Sequence, residues 1–280
     1  MVDPKTFGIA GVMGWPVAHS RSPVIHNHWL AHYGIPGRYV LFAVPPEKLE
    51  AAVRGLGPLG LRGCNVTTPH KQAIFPLLDR VDDLARRIGA VNTVVVEADG
   101  TLTGFNNDGN GFIQSLRDAD PKWRPDSGPI LVLGAGGASR AVVASLAAQG
   151  AKEIRVANRT QEKAREIAQA VGSAVKVVPW EQRETALDGV ALLANATSLG
   201  SAGKPPVEIS LDRLPKHALV GDLIYVPPET PLLAAARMRG NVTVNGLGLL
   251  LNQARPAFNA WFGVMPEITP ALKQAIAATF

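Results

Sequence analysis

Residues 64–71 read CNVTTPHK. Asn65, Thr67 and Thr68 supply neutral hydrogen-bonding groups, and Lys71 sets one ammonium among them. No apolar stripe requires that lysine, and Pro69 forbids a helix from running through it. A second stretch carries a different chemistry. GAGGAS, comprising Gly134, Ala135, Gly136, Gly137, Ala138 and Ser139, follows the apolar run PILVL and opens a helical pattern. Gly134 permits a tight turn, and Gly136 and Gly137 let backbone N–H groups approach a pyrophosphate at a helix N-terminus. Ser139 stands at the third-glycine place, so looser helix–strand packing is expected there. The next strand ends in Asn158, Arg159 and Thr160. An NAD site ordinarily places a carboxylate here for the ribose 2′-hydroxyl; a guanidinium and a hydroxyl instead suit a 2′-phosphate, with Lys163 one turn on adding charge.

These residues need strand ends and helix starts to hold them. FGIAGVMG (7–14), RYVLFAV (38–44) and a run ending in CNVT read as strands, and PPEKLEAAVRGL as a helix. Ser22 reads as the N-cap of a helix with Pro23 at its first position. AVNTVVVEADGTLTGFN reads as a hairpin about Asp99-Gly100. The proline-rich segment 118–129 reads as a linker. ILVLG, EIRVAN, AVKVV, VALLAN, ALVGDLI and NVTVN then form a second βαβ series, and two helices close the chain. The expected class is α/β: a substrate domain over 1–108 with a mostly parallel sheet, completed by helices over 247–280 that pack back on it, and a dinucleotide domain over 109–246.

Bulk properties narrow the function. The chain has 280 residues, one cysteine (Cys64) and a net charge of +5. One cysteine excludes a disulfide framework and suits a reducing cytoplasm. The opening stretch MVDPKTFGIAGVMGW lacks the pattern of a secretory leader, and no apolar run of membrane length occurs. Basic residues are scattered, apart from an enrichment at Lys152, Arg155, Arg159, Lys163 and Arg165. With 6% aromatic residues and none interleaved there, nucleic acid is not the expected partner and a small anion is. His28 and His32 share a helix face without a third ligand nearby, so no metal site is expected.

HSRSP (19–23), NVTTPHK (65–71), AVNT (90–93), NNDG (106–109), GDLIY (221–225) and GLGLLLNQA (246–254), with the glycine turn and NRT between them, together resemble the shikimate dehydrogenases over nearly the whole chain. The resemblance implies reversible reduction of 3-dehydroshikimate to shikimate with NADPH, on the route to chorismate and the aromatic amino acids. It implies a Rossmann NADP domain and a monomer or homodimer. Ser20, Ser22 and Tyr225 would meet the substrate carboxylate. Asn65, Thr67, Asn92 and Gln253 would hold the ring hydroxyls, because a hydroxyl both gives and takes a hydrogen bond. Lys71 and Asp108 would manage the proton at the reacting carbon. Thr197 and Gly246 would join the glycine turn and Asn158–Lys163 in holding the cofactor. One departure is Asn107, where the family usually has threonine.

Singly, Lys71 reads as a solvated lysine, Ser22 as a cap, Asn92 as a turn former and Asp108 as the N-cap of a helix beginning at Gly109; their shared order carries the functional reading. Rival readings are a quinate/shikimate dehydrogenase of relaxed specificity, a methylene-tetrahydrofolate dehydrogenase-like enzyme and a non-catalytic NADP-binding sensor. Ser22 and Arg159 weigh against the first, the serine pair and Gln253 against the second, and retention of Lys71 and Asp108 against the third.

Overall fold

A computed structural model describes residues 6–279. The first five residues of the stretch read as leaderless, and Phe280 of the second C-terminal helix pattern, lie outside the described residues. The chain divides into two compact units, one of residues up to Asn107 together with those from Gln253 onward, the other Asp108–Asn252.

The first unit begins with β1 (Gly8–Gly14), α1 (Ser22–His32), β2 (Gly37–Ala43), α2 (Leu49–Gly55), β3 (Gly63–Val66) and α3 (His70–Ala73). It continues through β4 (Arg80–Val81), α4 (Asp83–Ile88), β5 (Thr93–Val96) and β6 (Leu102–Phe105). The sheet order is β2-β1-β3-β5-β6-β4. β1 pairs in parallel with β2 and β3, as β4 does with β6, whereas β5 runs antiparallel to both β3 and β6. The antiparallel step follows from the hairpin: Gly100 takes φ +83° and the Asp99 carboxylate accepts from Thr101 N–H at 3.0 Å, reversing the chain within a few residues. α4 is bounded as its sequence dictates, with Asp82 accepting from Ala85 N–H at 2.8 Å and Gly89 in the left-handed region.

Ser22 is not the cap of α1. It is the first helical residue, Arg21 takes the cap position without a side-chain bond, and the Ser20 hydroxyl accepts from Ser22 N–H at 3.3 Å. Pro23 therefore falls one position later than the capping pattern suggests.

The second unit holds α5 (Asp108–Ala119), β7 (Ile130–Leu133), α6 (Gly137–Ala148), β8 (Ile154–Asn158), α7 (Gln161–Val171) and β9 (Val175–Pro179). β10 (Leu192–Asn195), β11 (Leu219–Asp222), α8 (Pro231–Met238) and β12 (Thr243–Val244) follow. Its sheet runs β12-β11-β10-β7-β8-β9, parallel throughout. Counted from β7, this is the doubly wound order 3-2-1-4-5-6 whose switch point lies between β7 and β10. The 118–129 stretch is no linker between units. It lies wholly inside this one, and Trp123 is buried in the core with Phe112, Val142 and Leu219. Prolines and charges there mask a single aromatic anchor.

α9 (Gly246–Phe262) contains the division between the units, and α10 (Pro270–Ala277) follows it. In the first unit Phe258 and Trp261 of α9 surround His26 and Tyr39, the His26 ring stacked on Tyr39 at 4.1 Å. Trp261 also donates its indole N–H to Val94 C=O at 3.0 Å, fixing α9 to the centre of the sheet. Among the described residues no helix is long and apolar enough to cross a membrane.

Burial lowers His26 from its ordinary 6.5 to about 3. The unfolded chain therefore takes up this proton near pH 6.5 and the folded chain only near 3. Stability should accordingly fall as pH drops through that window, by up to about 1.4 kcal/mol per pH unit from this group. Urea unfolding of wild type and His26→Phe between pH 6 and 4 should show a shallower decline in the variant; equal slopes would contradict it.

Candidate active site

Lys71 is presented at the C-terminal end of the parallel strands of the first unit. β1 and β3 end together there, with Thr67 N–H donating to Met13 C=O at 2.9 Å and Trp15 N–H to Thr68 C=O at 3.1 Å. The strand ends at Val66, Pro69 takes the cap position, and the single turn of α3 starts at His70. That turn is held from both sides: the His70 ring bonds Val44 C=O through Nε2 at 2.7 Å, and Val91 N–H donates to Lys71 C=O at 2.8 Å. The half-buried Lys71 is therefore mounted on a pinned backbone. His70, buried, is a residue that the sequence reading misses; its place beside Lys71, on a turn too short to bury it alone, is the signal that could have found it.

Register brings the neutral groups to the same end. Antiparallel pairing sets Asn65 opposite Thr93 and Thr93 opposite Phe105, so Asn92 and Asn106–Asn107 lie just beyond. Asn65 donates through Nδ2 to Asn92 C=O (3.1 Å) and Thr93 Oγ1 (3.2 Å), and its Oδ1 accepts from the Tyr39 hydroxyl at 2.6 Å. Asn92 Oδ1 accepts from Asn107 N–H (3.0 Å) and the Thr93 hydroxyl (2.9 Å), and its Nδ2 donates to Gln253 Oε1 at 3.4 Å. Asn65, Asn92 and Gln253 thus form one hydrogen-bonded group. Asn107 belongs to it too: its amide donates to Thr93 Oγ1 at 3.1 Å, a use for this residue in the family's threonine place. Thr93 and Tyr39 are further members that the sequence reading does not reach. Burial pushes the Tyr39 phenol well above the ordinary tyrosine range, so it stays a donor. Ser20 and Thr67 are half-buried on flanking loops, and Ser22 is buried. Tyr225 and Asp108 belong to the second unit, Tyr225 on the loop after β11 and Asp108 as the first residue of α5 rather than a cap before it.

In the second unit Gly134 leaves β7 at φ +104°, and a Cβ there would lie 3.0 Å from both Ala196 C=O and the Thr197 methyl. The turn and Thr197 therefore meet at the switch point. Gly136 and Gly137 differ: both are exposed, neither has positive φ, and an added Cβ would touch nothing within 4 Å. The protein itself has no steric use for glycine there, whereas a pyrophosphate against the uncapped N-terminus of α6 does. Ala135 is buried and Ala138 exposed. The buried Ser139 hydroxyl donates to Gly134 C=O at 2.6 Å and fastens the turn.

Thr197 is set by a buried polar chain. Its hydroxyl and N–H both donate to Asn195 Oδ1 (2.7 and 3.1 Å), Asn195 Nδ2 donates to Asp222 Oδ1 (3.1 Å), and Thr230 donates to Asp222 Oδ2 (2.7 Å). Burial raises the Asp222 carboxyl above its ordinary value, against the pull of these bonds and of Ile224 N–H. Gly246 N–H donates to Ile224 C=O at 2.8 Å, and a Cβ on Gly246 would collide with Leu223 C=O, so close backbone approach alone demands glycine. Asn158 donates to Thr160 C=O at 2.7 Å and shapes the turn after β8. Arg159 and Lys163 are exposed and form no ion pair among the described residues, unlike Arg155 and Arg165, which pair with Glu153 and Glu162. This loop and the open glycine turn fit a dinucleotide bearing a 2′-phosphate. His28 and His32 stack at 6.2 Å, and no group of three or more possible ligands occurs among the described residues.

The two glycine environments should separate on substitution. Gly136→Ala should leave the melting temperature unchanged yet weaken dinucleotide affinity roughly tenfold or more, as an N–H bond to charged phosphate is worth about 1.5–3 kcal/mol. Gly134→Ala should destabilise the fold by on the order of 1–2 kcal/mol through its positive φ. Thermal melts and fluorescence titration with NADPH check both.

Comparison with known proteins agrees with this division of labour. Residues 12–94 match the model for the shikimate dehydrogenase substrate binding domain, and residues 124–202 that for shikimate / quinate 5-dehydrogenase. A shikimate dehydrogenase (NADP(+)) of Paramagnetospirillum magneticum is 52% identical over 95% of this chain and 96% of its own length. The Thermus thermophilus shikimate 5-dehydrogenase crystallised with NADP(H) and shikimate superposes with a TM-score of 0.86 at 35% identity, covering 98% of this chain and all of that one. Quinate dehydrogenase from Corynebacterium glutamicum, in complex with NAD, reaches 0.89 at 31% identity over 98% of this chain and 100% of that one. Identity of this level across nearly the full length places the chain in the shikimate dehydrogenase family.

Proposed function

We propose that the chain catalyses its family's reaction, reversible reduction of 3-dehydroshikimate to shikimate with NADPH, in the cytoplasm, and that Lys71 and Asp108 manage the proton. The observation that carries this reading is the buried cluster of neutral amides beside a backbone-pinned lysine in the first unit. A polyol ring offers hydroxyls that both donate and accept, and neutral amides answer them without the desolvation cost of a charge. Ser20, Ser22 and Tyr225 supply hydroxyl donors for the substrate carboxylate, and Asn65, Thr67, Asn92 and Gln253 take the ring hydroxyls.

NADPH supplies the hydride. Lys71 stabilises the negative charge that grows on the carbonyl oxygen and gives it a proton; in the other direction it takes that proton back. Asp108 is the carboxylate that orients the ammonium and shares its proton. Gly134 to Ser139, Thr197 and Gly246 hold the body of the cofactor, while Asn158, Arg159, Thr160 and Lys163 receive the 2′-phosphate. Arg159 is suited to this because its paired donors match phosphate oxygens.

Lys71→Ala should lower kcat by about 10²- to 10⁴-fold with little change in the KM for shikimate, because proton transfer and charge stabilisation are felt in the transition state. Near-full turnover with only a raised KM would make Lys71 a binding residue. Arg159→Ala should cost roughly 10- to 100-fold in kcat/KM with NADP and little with NAD. Equal losses with both cofactors would remove the 2′-phosphate role.

A further inference from the structure

We propose that Gly109 is a positioning residue: its missing side chain lets α5 start directly against α6, so that the helix which receives the cofactor also sets the place of the Asp108 carboxylate. This rests on the reading that Asp108 manages the proton.

Glycine is an unfavourable choice inside a helix, because it has more backbone freedom to lose than alanine. At Gly134 a positive φ accounts for it, but Gly109 has none. Gly109 is buried in the first turn of α5, one residue after Asp108. A Cβ there would collide with the Ala141 C=O and the Ser145 hydroxyl of α6 and lie 2.6 Å from the Ser145 Cβ. The first of these is backbone, so no change of rotamer relieves the contact. The facing residue is small as well. Ser145 is fully buried, and its hydroxyl has no hydrogen-bond partner among the described residues, so size rather than bonding suits it to this crossing.

The rest of α5 is held along its length. Gln149, just past the end of α6, accepts from Arg117 at 2.8 Å and donates to Asn110 at 2.8 Å. From α9, Gly248 approaches so closely that a Cβ on it would lie 2.6 Å from the Ser115 Cβ, and Asn252 donates to Asp118 at 2.9 Å. Packed interiors transmit strain rather than absorb it. An added methyl at position 109 therefore tips the first turn of α5 away from α6, and the residue carried on that turn is Asp108. Gly136 and Gly137 stand at the start of α6, and Ala141 follows one turn later. The carboxylate and the cofactor thus take their positions from one helix. Gly109 touches no reacting atom in this scheme; it acts through Asp108.

The test compares Gly109→Ala, Asp108→Asn and the double variant. The readouts are kcat and KM for shikimate with NADP, NADPH affinity by fluorescence titration and the melting temperature. Gly109→Ala should lower kcat roughly a hundredfold, as a displaced catalytic group does, with KM and NADPH affinity little changed. In the double variant Gly109→Ala should cost no further kcat, because the group that it displaces is already gone. If Gly109→Ala does not fold, Ser145→Val, which adds bulk from the facing side and leaves Gly109 in place, should give the same loss and the same non-additivity. Wild-type kcat in Gly109→Ala while Asp108→Asn is impaired would overturn the proposal and leave the role of Asp108 intact. A silent Asp108→Asn would overturn that role, and this proposal with it. A full further loss in the double variant, or a fall in NADPH affinity that matches the fall in kcat, would show that the methyl acts on something other than Asp108 and overturn the proposal.

Discussion

Buried amides without partners cost free energy on the order of 1–3 kcal/mol each, and the first unit buries several at one end of its sheet. Asn65, Asn92 and Asn106 are all buried. The antiparallel insertion of β5 resolves this. It sets Thr93 across from Asn65 and carries the chain back so that Asn106 Nδ2 reaches Ala90 C=O at 2.9 Å and Asn107 reaches Asn92 and Thr93. A wholly parallel sheet would need a crossover between those strands and could not bring residues 92–93 and 106–107 together so directly. Lys71 is mounted separately, on a turn pinned by His70.

The second unit works by omission. Its core is an ordinary parallel sheet with apolar strands buried on both faces, and the groups that would receive the cofactor are places where side chains are missing or unpaired. Gly136 and Gly137 leave room that no protein atom fills, and Arg159 and Lys163 carry charge that no carboxylate among the described residues pairs with, as Glu153 and Glu162 pair with their neighbours. Against these open features the buried Asn195–Asp222–Thr230 chain is closed, and it fixes the loop that brings Thr197 against Gly134.

Much of this is legible in the sequence because it is local. Strand, turn and helix signals around 130–148 sit within a few residues of one another, and the 2′-phosphate reading needs only the end of the next strand. The expectations that the structure overturns depend on contacts that composition does not show. Ser22 has a cap's composition, but the helix starts on it, with Ser20 accepting from its N–H. The 118–129 segment has a linker's composition, and only burial of Trp123 against the sheet reveals otherwise. Thr93 and Tyr39 are invisible in the sequence because their common partner Asn65 lies 28 and 26 residues away.

The central claim is that neutral amides and two short serines read shikimate while Arg159 reads the 2′-phosphate. Quinate carries an extra hydroxyl on the carbon bearing the carboxylate, which turns the carboxylate away from the near-planar direction it has in shikimate. Steady-state kcat/KM for shikimate and quinate, each with NADP and with NAD, tests both halves at once. Shikimate with NADP should lead, exceeding shikimate with NAD by roughly 10- to 100-fold and clearly exceeding quinate with NADP. Comparable efficiency on quinate, or with NAD, would contradict it.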